Sequence, residues 1–236
     1  MHYLKHINTA LLIGGVSVTP GMLKAQQNTT VKPKNVVLIL VDDLKPNLGC
    51  YGDKTAISPN IDKLADAGIR FNKAYCNQAV SVASRYNLLT GARSTSTGLY
   101  NFGSEFRDIY PDAVTLPQFF MKAGYHTEAI GKVFHVGHGN TDDKASWSIP
   151  HHKEKVIEYI LPESTGRKLT REEAYFENTK MYFPELPPNH QLTRGAAWEA
   201  PDVLDDAYGD GRVANQAISR FRELKKTPEK PFFMAV

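Results

Sequence analysis

The sequence predicts an α/β fold with a largely parallel sheet sandwiched by helices. Three observations carry that expectation. The apolar run Val36-Val37-Leu38-Ile39-Leu40-Val41 is bounded by polar residues and stops at Asp42-Asp43, which reads as a fully buried strand. Strand-like runs then alternate with helix-like segments, the pattern of a mainly parallel sheet. With 236 residues, 42% of them hydrophobic, the chain has enough apolar material for a packed core.

The elements follow in order. Residues 1–25 read as a secretory signal: Lys5 and His6 are a basic start, Thr9 to Val18 an apolar stretch, and Leu23-Lys24-Ala25 a cleavage site. That stretch is short for a membrane span, and no other segment reads as transmembrane. A polar tail over 26–34 precedes the first strand, Asn35 to Val41. Lys45 to Ile57 is loop-like, and Ser58-Pro59 supplies an N-cap and first-turn proline for a helix bearing Ile61, Leu64 and Ala65 on one face.

Ile69 to Ala74 reads as a second strand and Ser84 to Gly91 as a helix. Thr115 to Ala123 reads as another helix, stopped by Gly124, and His126 to Gly131 as a strand. From about 140 to 204 the pattern weakens into what reads as a surface insertion. Within it, Trp147, His151 and His152 are either ordinary surface residues or the lining of a sugar pocket. Val213, Ala217, Ile218, Phe221 and Leu224 then share a helix face, and Pro231 to Val236 reads as a buried strand. The chain stops inside that strand, so residues 35–236 are expected to be the N-terminal part of a longer domain.

Charge excludes one class of partner. Formal net charge is +3, and setting aside Lys5 and Lys24 in the leader brings basic and acidic residues close to balance. No electrostatic case for nucleic-acid binding remains. The two cysteines, Cys50 and Cys76, lack a CxxC element and so do not suggest zinc; they are expected to be free buried thiols, with pairing in an oxidising compartment as the alternative.

The chemistry-bearing residues sit at element ends. Asp42 and Asp43 can give hard oxygen ligands to a divalent cation, or simply form a capping turn. Ser81 has no Gly-x-Ser-x-Gly elbow around it, and a serine before a helix is ordinarily an N-cap. The string Ser81-Val82-Ala83-Ser84-Arg85 followed by Leu88-Leu89-Thr90-Gly91 is more telling. It resembles the signature of the type I sulfatases of the alkaline phosphatase superfamily. Gly131-Lys132-Val133-Phe134-His135 is similar to a second block of that family. Its Lys-to-His spacing resembles the iduronate-2-sulfatase branch, as do Leu48 to Asp53, Ser58 to Asp62, Leu99 to Phe102 and Pro231 to Val236.

The resemblance implies a mechanism. Ser81 would be oxidised to formylglycine by an anaerobic-type maturase, and its hydrate would attack the ester sulfur beside one calcium ion. Asp42, Asp43 and oxidised Ser81 would be metal ligands. Arg85 would hold the diol, Lys132 would bind sulfate or diol oxygens, and His135 would take the proton that releases sulfate. The implied substrate is a sulfated carbohydrate, in particular 2-O-sulfated uronic acid units of glycosaminoglycans, and the implied location is periplasmic or exported.

Family members carry a further histidine, two more metal ligands and another lysine beyond the segment that matches Pro231–Val236. The 236 residues alone are therefore expected to be inactive. Two alternatives stand beside this reading. One is a phosphomonoesterase or phosphodiesterase of the same superfamily. The other is a non-catalytic sugar-binding relative or inert fragment, in which the last strand would be an exposed edge prone to pairing.

Overall fold

The structure is a computed structural model and describes residues 32–154, 159–161, 164, 185 and 198–236. The expected signal over 1–25 and most of 155–197 lie outside the described residues. The elements are β1 (Val36–Leu38), α1 (Pro59–Ala67), α2 (Ser81–Thr90), α3 (Leu116–Lys122), β2 (His126–Ala129), α4 (Gly209–Leu224) and β3 (Phe232–Ala235). Short helical turns at Ser94–Thr97 and Phe106–Ile109 lie between α2 and α3.

Among the described residues the sheet has three strands in the order β1-β3-β2, all parallel. Val36 pairs with Phe233 and Leu38 with Ala235; on the other side His126 pairs with Phe232 and Ala129 with Ala235. Parallel neighbours need long crossovers, and the helices between the strands provide them.

Side chains along β3 alternate between two cores, as the two-residue period of a strand requires. Phe233 and Ala235 join Val82, Tyr86 and Leu89 of α2, with Phe134 and Trp147, on one face. Phe232 and Met234 meet Ala217, Val213, Phe221 and Leu224 of α4 on the other. Helices therefore cover both faces of the central strand, the sandwich that the sequence pattern implies. The edge expected for the last strand is overturned: β3 has a strand on either side.

β1 departs from expectation in the opposite direction. Val36, Leu38 and Leu40 pack on the α2 core. Val37, Ile39 and Val41 remain 44%, 65% and 58% exposed. Full burial was expected of the run, but among the described residues β1 has one neighbouring strand and one packed face, which buries only alternate residues. The apolar face of α1 is likewise uncovered, with Leu64 67% exposed.

Three further expectations change. Ile69 to Ala74 is not a strand. One of its carbonyls is met by a side chain: the Tyr51 hydroxyl donates to the Phe71 carbonyl at 3.0 Å. Ser58 makes no cap hydrogen bond to α1. Its Oγ instead accepts from the Gly49 amide at 2.9 Å and donates to Asp62 at 3.0 Å. Cys50 and Cys76 are free, as expected, but Cys50 is half-buried and Cys76 exposed.

α3 has the capping box that its sequence encodes. Thr115 Oγ1 accepts from the Gln118 amide at 3.3 Å while Gln118 Oε1 accepts from the Thr115 amide at 2.9 Å. The start of the stretch expected to be a surface insertion is packed. Trp147 and Ser146 are buried, Ser148 N donates to the Thr127 carbonyl at 2.8 Å, and His152 N donates to the Ala129 carbonyl at 3.0 Å. This segment runs along the free edge of β2 and covers it. Trp147 is thus core, neither surface nor pocket lining.

Candidate active site

The sheet and α2 bring three of the expected residues into one ion network. Asp42 follows the apolar run of β1, in a turn where Asp43 adopts φ +54°. Arg85 lies in the second turn of α2 and is 6% exposed. Its Nη2 donates to Asp42 Oδ1 at 3.0 Å, and its Nη1 to the Val133 carbonyl at 3.0 Å and the Lys132 carbonyl. Lys132 Nζ donates to the second Asp42 oxygen, Oδ2. One carboxylate is therefore held between two cations that arrive from different elements.

Ser81 is the first residue of α2 and is half-buried. Arg85 follows it at i+4, which places both on one face of the helix, Ser81 a turn nearer the N-terminus. The amides of the first turn have no intrahelical acceptor and favour negative charge there.

Lys132 is presented by a tight turn that other segments clamp. Gly131 has φ +73°, and a Cβ there would meet Val213 Cγ1 at 3.0 Å, so the position takes glycine on both counts. The Gly131 amide donates to the His152 carbonyl at 3.2 Å, and His151 Nε2 lies 2.7 Å from the Gly131 carbonyl. His151 Nδ1 lies 3.2 Å from Asp142 Oδ1. Arg85 holds the next two carbonyls.

His135 closes the turn and is 6% exposed. Its Nε2 is 3.3 Å from His138 Nδ1, while its Nδ1 is buried with no hydrogen-bond partner. Phe102 lies against both imidazoles, with centroids 5.0 and 4.9 Å away.

The electrostatics separate the two titratable groups. Burial pushes the Asp42 carboxyl up, but hydrogen bonds from Lys132 and Arg85 and their charges outweigh it and hold the group below 3.8. Burial lowers His135 below 6.5, and the charges of Lys132 and Arg85 lower it further against the opposing pull of Asp42. Asp42 is thus an anion and His135 a neutral acceptor at neutral pH.

The fit to a metal is partial. Asp42 and Asp43 are hard oxygen donors, which suits calcium in kind. Both Asp42 oxygens are engaged by cations, and among the described residues no group of three or more His, Cys, Asp or Glu is placed to hold an ion. The described residues supply fewer donors than the six to eight oxygens calcium takes.

Sequence reasoning singled out Asp42, Asp43, Ser81, Arg85, Lys132 and His135, missed His138, and named His151 only as a surface or sugar-pocket residue. The signal for His138 was present as a His-x-x-His spacing within Gly137-His138-Gly139. That His151 would meet the Gly131 carbonyl and Asp142 needed the fold.

The sequence profile described as Sulfatase matches residues 34–236. Iduronate 2-sulfatase of Homo sapiens is 39% identical over 232 residues, covering 96% of this chain and 38% of that protein. PsFucS1 sulfatase from Pseudoalteromonas sp. superposes with a TM-score of 0.54 at 24% identity, over 86% of this chain and 43% of that one. The phosphonate monoester hydrolase of Agrobacterium radiobacter reaches the same TM-score, 0.54, at 19% identity, over 86% of this chain and 40% of that one. The two structural likenesses concern the fold alone. This chain spans about two fifths of the human relative's length. The match over 34–236, with its α/β sandwich and its Ser81-to-Arg85 helix, places the chain in the sulfatase family.

Proposed function

We propose that the product of the complete reading frame containing this chain hydrolyses sulfate esters on sugars, in particular 2-O-sulfated uronic acid units of glycosaminoglycan oligosaccharides, after export. The observation that carries the reading is the Asp42–Arg85–Lys132 network, with Ser81 one helical turn before Arg85. The sugar class comes from the human relative, whose name specifies a 2-sulfated iduronate.

In this reading a maturase oxidises Ser81 to formylglycine, whose hydrate attacks sulfur. Arg85 holds the oxygens at position 81 through its fork of donors, which suits oxyanions. Its bonds to Asp42 and to the 132–133 carbonyls fix that fork before substrate arrives, so little reorganisation is left for the reaction. Lys132 binds a sulfuryl oxygen. Buried His135, neutral for the reasons above, takes the proton from the hydroxyl at position 81 as sulfate leaves. Asp42, Asp43 and oxidised Ser81 would hold one calcium ion, which would add positive charge beside the sulfuryl oxygens.

The test is a substrate panel with the purified product of the complete reading frame. A 2-O-sulfated uronic acid disaccharide, a 6-O-sulfated hexosamine disaccharide and an aryl phosphate are compared by kcat/KM. The reading expects sulfate release from the first at a rate at least tenfold above the second. Preference for the phosphate ester would replace it with the phosphoesterase alternative.

A further inference from the structure

We propose that His138 is a positioning residue of this site: its Nδ1 accepts the Nε2–H of His135 and so leaves the free lone pair of His135 on Nδ1. The proposal rests on the reading of His135 as the proton acceptor.

Three observations carry it. The first is the pairing itself. His135 Nε2 and His138 Nδ1 are 3.3 Å apart, and the two rings are 25° from parallel with centroids 5.5 Å apart. The centroids are much farther apart than the two nitrogens, so the rings meet edge to edge and nearly in one plane. That is the arrangement in which a ring N–H points along its partner's lone pair.

The second is the orphan nitrogen. A neutral imidazole has one donor and one acceptor, and the bond made by one nitrogen decides what the other carries. His135 Nδ1 is buried with no partner among protein groups. If His138 donated to Nε2, His135 would bury an unpaired N–H at Nδ1, useless to a proton acceptor. If His138 accepts, Nδ1 is a bare lone pair, the form a proton acceptor needs. The nearby cations keep the ring neutral, so the lone pair stays available.

The third is the backbone at residue 138. His138 has φ +52°, and among the described residues Asp43 is the other non-glycine at positive φ. It sits between Gly137 at +109° and Gly139 at +85°, in a turn closed by Gly137 and Asn140 bonding each other's backbone at 3.0 and 2.9 Å. Glycine would suit this conformation better than histidine. Non-glycine residues held at positive φ gather at functional sites, and here the imidazole is what a glycine would lose. Phe102, in contact with both rings, fixes their planes.

The experiment uses the product of the complete reading frame with an aryl sulfate substrate and three variants, His138→Gly, His138→Asn and His135→Ala. Glycine and asparagine both accept the left-handed backbone, but only asparagine offers an oxygen to the Nε2–H. We expect His138→Gly to lower kcat by about 10- to 100-fold, the loss typical when an imidazole's orienting partner is removed, with KM changed by less than about twofold. His138→Asn restores most of that loss. Circular dichroism confirms that each variant is folded, and the Asn variant carries the test should the Gly variant fail to fold. Equal rates for folded Gly and Asn variants, or a wild-type kcat in His138→Gly, would overturn the proposal. With His135→Ala inactive, such a result defeats this proposal alone. A fully active His135→Ala defeats the role of His135 and this proposal with it.

Discussion

β3 and β1 are hydrogen-bonded neighbours, yet they lie in different surroundings. All four residues of β3 are buried. Along β1 and its continuation every second residue is open to solvent. Both segments are apolar runs, so composition does not separate them. Position does: among the described residues β3 has a strand on either side and helices on both faces, whereas β1 has one strand and one packed face. An apolar run says that a segment can be buried; the order of strands decides how much of it is.

The difference reaches the site. Asp42 lies beyond the half-exposed strand, so burial of β1 does little to fix it. Its carboxylate is fixed from outside, by Arg85 of α2 and Lys132 of the turn after β2. The site is therefore a place where three chain segments are tied by charge, beside a core that is tied by packing.

The largest effect should come from the central strand. Phe233→Ala removes a ring that stacks on Phe120 at 4.9 Å and should destabilise the chain by about 3–5 kcal/mol in urea unfolding. A loss near that of an edge residue would break the contrast. Next, Arg85→Ala leaves Asp42 and two carbonyls without a buried partner and should cost about 2–3 kcal/mol. Lys132→Ala, whose side chain is far more exposed, should cost less than about 1 kcal/mol in the same assay.

Acid gives a smaller effect with a definite sign. The folded-state pKa of Asp42 is depressed below 3.8, so its contribution is fully present above that value and is lost as pH falls through the lower folded value. Unfolding followed from pH 5 to pH 2 should therefore show a fall in stability below about 4 that Asp42→Asn reduces. Smallest of all, Val37→Thr on the open face of β1 should change stability by less than about 0.5 kcal/mol. A cost of several kcal/mol would mean that the face is covered.

Much of the local structure was legible. Thr115 with Gln118 announced the start of α3, and the spacing of Val213, Ala217, Phe221 and Leu224 announced the buried face of α4. These signals lie within a few residues of one another. The failures share a different cause. Whether Ile69 to Ala74 would find a strand to pair with, whether Val37 would be covered, and where β3 would sit are questions of sheet order, set by contacts far apart in sequence. The site divides the same way. Resemblance to the sulfatase motifs named Ser81, Arg85, Lys132 and His135, but that Arg85 and Lys132 would share the two oxygens of Asp42 needed the fold. His138 is near His135 in sequence and was still missed, because its meaning lies in a backbone angle and a buried, unpartnered nitrogen.

The most direct test of the account is mass spectrometry of the tryptic peptide Ala74–Arg85, taken from the product of the complete reading frame in cells shown to contain an active maturase. A mass lower by two hydrogens at Ser81 is the predicted result. An unmodified Ser81 in those cells would contradict the account.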